Sequence, residues 1–133
     1  MRSLKKETFT LEDKLITLSV VVEADCITRD FKFIVDTGTR STIIDEDAAK
    51  AMWLTRTNSK EVHIRGVTGS GTAYEHKIDA ITALGVTKRN FHILEHPMPE
   101  DAGADGLLGL DFFENTSLTI DFILSEIGIE RHL

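Results

Sequence analysis

The sequence holds a single cysteine, Cys26, so no intramolecular disulfide can form and nothing calls for an oxidising compartment. Basic residues are outnumbered: 15 Lys and Arg stand against 22 Asp and Glu, a formal net charge of −7. No basic face of the kind that phosphate binding needs is visible, which excludes nucleic acid as a partner. Long hydrophobic runs are missing too. The longest, at 15–22, is interrupted by Thr17 and Ser19 and is too short to span a bilayer. The basic start, Met-Arg-Ser-Leu-Lys-Lys, is followed by neither a long apolar region nor a small-residue cleavage site, so it reads as no signal peptide. These absences lead us to expect a soluble, cytoplasmic protein that does not engage membranes.

Several kinds of chemistry are missing as well. His63, His76, His92 and His96 lack close metal-ligand spacing, and one cysteine makes no thiolate cluster. We read these histidines as solvated or strand-surface residues, and expect no metal and no organic cofactor. No Gly-x-Ser-x-Gly nucleophile elbow is present. The glycine-rich stretch at 66–71 lacks the Gly-Lys-Ser/Thr ending of a phosphate loop.

What remains is an ordinary globular composition, 41% hydrophobic and 28% charged over 133 residues. That suits one domain able to bury a core without staples. No repeat, linker or low-complexity segment divides it. Residues 14–22 and 27–35 are rich in β-branched and aromatic side chains and read as strands joined by a turn at 23–26. Ile43-Ile44 is a short strand. Residues 45–52 place acidic groups ahead of good helix formers, a favourable order at a helix N-terminus. The alternating segments 61–65 and 73–80 flank Gly66-Val67-Thr68-Gly69-Ser70-Gly71, which predicts a β-hairpin with a glycine-rich tip. A strand at 91–94, a polar loop at 95–105, an apolar turn and short helix at 105–113, and a closing hairpin at 118–130 complete a mainly β chain with one or two short helices.

The stretch that carries chemistry is Phe-Lys-Phe-Ile-Val-Asp36-Thr37-Gly38. A carboxylate at the end of an apolar strand, on a turn opened by glycine, is held near low-dielectric surroundings, where acid–base chemistry can be tuned. Taken alone, the tripeptide also fits a plain turn after an edge strand. Two later features, the glycine-tipped hairpin and Leu107-Leu108-Gly109, follow it in a fixed order. Together, over about residues 14–130, the three resemble the retropepsin-type aspartic proteases. Residues 106–113, followed by Leu-Thr-Ile-Asp-Phe122, are similar to bacterial single-lobe members.

The resemblance implies a retropepsin-like barrel of short strands occupying the whole chain, 1–133, as one domain. It implies an aspartic endopeptidase that cleaves peptide or protein substrates. Only one Asp-Thr/Ser-Gly is present, so the second carboxylate of the family's catalytic pair would come from a second copy, making a homodimer. By the same resemblance Asp36 is catalytic, Thr37 bonds across the dimer axis and Gly38 lies close to substrate. Gly69, Ser70 and Gly71 belong to a flap that closes over bound peptide. Leu107, Leu108 and Gly109 pack beneath the Asp36 loop. Tyr74 is a strand residue facing a neighbour. The closing hairpin and the N-terminal strand are candidates for the dimer sheet.

Two positions depart from the family pattern. Thr39 stands where Ala or Ser is usual, narrowing the cleft floor or shifting a hydrogen bond. Arg40 replaces an acidic residue, so that it either pairs with Asp111 or faces the cleft and favours acidic peptides. A reading from a different class also fits the fold: a catalytically silent, protease-like module for peptide binding or dimerisation.

Overall fold

The computed structural model describes residues 2–12, 14–66 and 69–132. Strand β1 (Arg2–Thr8) is followed by β2 (Leu11–Glu12), β3 (Leu15–Ala24), β4 (Ile27–Val35) and β5 (Ile43–Ile44). Helix α1 (Glu46–Ala51) precedes a single 3₁₀ turn at Arg56–Asn58. Next come β6 (Lys60–Gly66), β7 (Gly69–Ala83), β8 (Val86–Glu95), β9 (Gly106–Leu108), helix α2 (Leu110–Phe113), β10 (Thr116–Asp121) and β11 (Glu126–His132).

Strands β3, β4, β9, β5, β8 and β7 pair in that order, and β3 pairs back with β7 through Val21↔Thr82 and its neighbours. The six strands therefore close into a barrel, with β2 and β6 left as outer strands. Alternation builds the interior. Leu18, Val20, Val22 and Ala24 of β3 point inward while Ser19 is exposed. They meet Phe33, Ile44, Ile78, Ile81, Ile93, Leu108 and Phe112 in one core cluster. A smaller sheet, in the order β1-β11-β10, lays Ile127 and Ile129 against the same cluster.

The β3–β4 connection turns on Asp25 and Cys26, with φ of 47° and 68°. The β7–β8 connection turns on Leu84 and Gly85, at 52° and 70°. Paired left-handed residues give two-residue hairpins whose twist matches that of the strands. β7 and β8 run further than the sequence pattern indicates, 15 and 10 residues. The added portion of β8 carries Thr87, Lys88, Arg89 and Asn90 in succession, none of them buried, which hides the strand alternation. Among the described residues, no helix is long and apolar enough to cross a membrane.

One crossing decides where chemistry can sit. β9 lies between β4 and β5, parallel to the first (Phe33↔Gly106, Val35↔Leu108) and antiparallel to the second (Ile43↔Leu107). Asp105 steers it in: its N–H donates to Lys32 O at 2.7 Å, and its carboxylate accepts the Lys32 N–H at 3.0 Å.

Candidate active site

Asp36 is the first residue beyond β4, and the β9 crossing holds it. Its N–H donates to Leu108 O at 3.0 Å, extending the β4–β9 ladder by one bond. The chain then turns back on itself. The Gly38 N–H donates to Asp36 Oδ1 at 2.9 Å, and the Thr39 N–H donates to Asp36 O at 3.3 Å. A Cβ at position 38 would stand 3.1 Å from Asp36 Oδ1, so glycine leaves the carboxylate room to fold over the turn. The result is a half-buried carboxylate fixed by one backbone donor, beside the exposed residues Thr37 and Gly38.

The loop beyond Asp36 is laced to the segment after β9. Leu110 N–H donates to Thr39 O at 2.9 Å, and Asp111 N–H donates to Arg40 O at 3.1 Å. Between them sits Thr42, wholly buried, whose hydroxyl donates to Asp111 Oδ1 at 2.7 Å and accepts the Gly109 N–H at 3.1 Å. The Asp111 carboxylate also accepts the Thr42 N–H, at 3.0 and 3.1 Å from its two oxygens. Burial pushes the Asp111 carboxyl above its ordinary range, and the hydrogen bonds from Thr42 oppose that rise.

This corrects one expectation. Asp111 is not the ion-pair partner of Arg40, because Thr42 and its own backbone occupy the carboxylate, and the Arg40 side chain is exposed. Thr42 was missed by sequence reasoning, since a threonine between two short apolar stretches carries no mark of its role.

Leu107 and Leu108 pair with β4 beside the Asp36 loop, with Leu108 fully buried, and Gly109 follows them. A Cβ on Gly109 would meet the Ser41 carbonyl at 2.8 Å and Thr39 Cγ2 at 3.0 Å. The Thr39 methyl therefore packs toward Gly109, and its hydroxyl donates to Ser41 O at 3.2 Å. Gly69, Ser70 and Gly71 belong to the β6–β7 hairpin, paired with Gly66, Arg65 and Ile64. Val67 and Thr68, at its tip, lie outside the described residues. Among the described residues, no hydrogen bond ties 69–71 to the 36–42 loop.

A second correction concerns the histidines. His63 and His92 are exposed, but His76 is 6% exposed and shares a 2.8 Å hydrogen bond with the buried Glu95. The signal was present in β7, where 76, 78 and 80 share one face and Ile78 and Ala80 are core residues. Tyr74 is a strand residue with a neighbour, the Arg56 guanidinium lying 4.5 Å over its ring. A cleft of about 290 Å³ elsewhere, lined by Asp45, Glu46, Asp47, Met98, Pro99, Glu100 and Ala104, does not include Asp36. Among the described residues, no group of three His, Cys, Asp or Glu is placed to hold a metal ion.

The strand-end aspartate on its glycine turn, and the hydrophobic-hydrophobic-glycine strand that locks it from below, both lie within the segment that family comparison matches. Residues 22–115 match the family described as "gag-polyprotein putative aspartyl protease". The chain belongs to this family. Among curated proteins, none matches it. A retropepsin-like aspartic protease from Rickettsia conorii has a similar solved structure, with a TM-score of 0.72 and 16% sequence identity, covering 98% of this chain and 94% of that one. The fold of this aspartyl protease family member is accordingly retropepsin-like.

Proposed function

We propose that this protein is an aspartic endopeptidase that works as a symmetric homodimer, with Asp36 of each copy forming one catalytic pair. The observation that carries the reading is the Asp36 turn. Its carboxylate is positioned by Gly38 and its backbone by Leu108, at the end of a strand with core on one side. One such turn per chain supplies one carboxylate, and hydrolysis of a peptide by water needs both a base and an acid. Two carboxylates close together hold one proton between them, because like charges cannot both ionise easily. The charged form takes a proton from water, and the protonated form polarises the scissile carbonyl.

The remaining roles follow from position. Thr37, exposed next to Asp36, bonds across the two-fold axis and keeps the two loops in register. Gly38, Thr39 and Arg40 line the floor of the cleft, where the Arg40 guanidinium favours acidic side chains in the substrate. The β6–β7 hairpin, with Gly69, Ser70 and Gly71, is the flap that covers bound peptide and excludes water. The outer strands of the small sheet, β1 and β10, offer backbone edges to which a second copy can add.

The test compares wild type with Asp36→Asn on a diverse peptide library between pH 3 and 8, reading products by mass spectrometry. Cleavage by wild type and none by the variant is the expected result, with acidic residues enriched near the cut site and that enrichment lost in Arg40→Ala. Cleavage by Asp36→Asn would sink the mechanism. Two folded, dimeric and inert proteins would favour the silent peptide-binding module.

A further inference from the structure

The β6–β7 hairpin is attached to the barrel along only part of its length. β7 pairs with β8 from Tyr74↔Glu95 onward and with β3 at Ala80–Thr82, whereas residues 69–73 pair with β6 alone. β6 has no other partner in the sheet order. Residues 62–66 and 69–73 are thus a two-stranded ribbon leaving the barrel at the Tyr74↔Glu95 pair, and a two-stranded ribbon is marginal by itself.

A group of charges is gathered at that point of departure. Glu95 is 3% exposed, and its two oxygens are shared between two elements. Oε1 meets His76 Nε2 at 2.8 Å. Oε2 accepts Arg56 Nε at 3.0 Å and Nη2 at 2.7 Å. Arg56 comes from the 3₁₀ turn just ahead of β6, lies 4.5 Å over the Tyr74 ring, and reaches Glu46 of α1 at 3.4 Å. One buried carboxylate therefore joins the foot of β6, the base of outer β7 and the end of β8. A buried charge is costly unless it is paired and hydrogen-bonded, and this one is both.

We propose that Arg56, Glu95, His76 and Tyr74 form a clamp at the fulcrum of the hairpin, positioning the flap over the Asp36 site. These are positioning residues: they act through the hairpin and touch no reacting atom. Arg56 is the member best suited to control posture, because it comes from the turn that leads into β6, a strand whose ladder partner is β7 alone among the described residues. Its planar fork gives two donors to one oxygen while its face stacks on Tyr74, a combination lysine cannot reproduce. The inference rests on reading the hairpin as a flap.

The test measures amide hydrogen exchange in wild type, Arg56→Met, Arg56→Lys and Glu95→Gln, with the β3 amides of the barrel as internal reference. Arg56 is half-exposed, so its variants keep the fold even where Glu95→Gln does not. Exchange across 60–73 is expected to rise about tenfold in Arg56→Met, the effect of losing a charge-assisted hydrogen bond. The β3 amides are expected to be unchanged, and Arg56→Lys to recover part of the protection. In peptide cleavage the same variants should raise KM more than they lower kcat. Unchanged exchange at 60–73, or an equal rise in β3, would overturn the clamp. Exchange needs no turnover, so a wild type that cleaves nothing refutes the peptidase reading while the exchange data still decide whether the clamp exists.

Discussion

At the scale of single residues, Thr42 ties the loop after Asp36 to the segment after β9. Its hydroxyl both donates to Asp111 and accepts from Gly109, within a fully buried setting. Thr42→Val keeps the shape and strips both bonds. It should cost about 1–3 kcal/mol, the penalty of leaving buried polar groups unpaired. Thr42→Ser keeps the hydroxyl and should remain close to wild type, so paired urea titrations decide the matter. Asp111 adds a pH dependence of its own. Its carboxyl is raised above the ordinary 3.8, with burial as the leading cause. The folded state therefore holds its proton to higher pH than the unfolded chain does. Its contribution to stability is fully present below 3.8 and is lost as pH rises through the raised folded value. Asp111→Asn removes that loss, so the variant's unfolding midpoint should fall less than wild type's between pH 3 and the upper end of the carboxylate range.

At the scale of elements, the meeting of β9 with the Asp36 loop leaves no spare volume. Gly109→Ala sets a methyl against the Ser41 carbonyl, which is backbone and cannot swing aside. A loss of about 1–3 kcal/mol is expected from overpacking, visible as a lower melting temperature. Activity should fall further than stability, because the displaced segment carries Thr39 and Leu110, which bond to each other beneath the cleft. Much at this level was legible in the sequence. The strand into Asp36, the hairpin and the Leu107-Leu108-Gly109 crossing all have local patterns: β-branched runs, glycine tips and an apolar pair. β1 was not legible as a strand, since Leu4 is 54% exposed and Lys5, Lys6, Glu7 and Thr8 are exposed as well, which leaves no alternation. Nor was the Thr42–Asp111 contact, which joins positions 69 residues apart with no periodicity to link them. The Arg56–Glu95 pair was hidden similarly, because charge in a sequence says nothing about burial until the strand face is known.

At the scale of the whole molecule, the proposed mechanism, with one Asp-Thr-Gly turn per chain, would make activity a property of pairs. Mixing wild type with an equal amount of Asp36→Asn, under conditions where subunits exchange, should leave about a quarter of the dimers with two intact aspartates. At fixed total protein, peptide cleavage should fall to about that fraction, and with excess variant it should follow the square of the wild-type share. A linear decline would mean that one copy suffices, and would remove the dimeric mechanism. Dilution provides an independent check: specific activity should drop as the dimer dissociates, and recover when protein is concentrated again.

The place of β9 between β4 and β5 also sets a schedule. A chain leaving the ribosome displays Asp36 well before it contains Leu108, whose carbonyl fixes the aspartate's backbone. At about 5–20 residues per second, the interval is roughly 4–14 seconds. Until it ends, β4 has an empty edge where β9 will enter, and the aspartate sits on an unsupported turn. The nascent polypeptide, itself a stretch of susceptible peptide bonds, thus passes its most vulnerable period beside a hydrolase that has not yet been assembled.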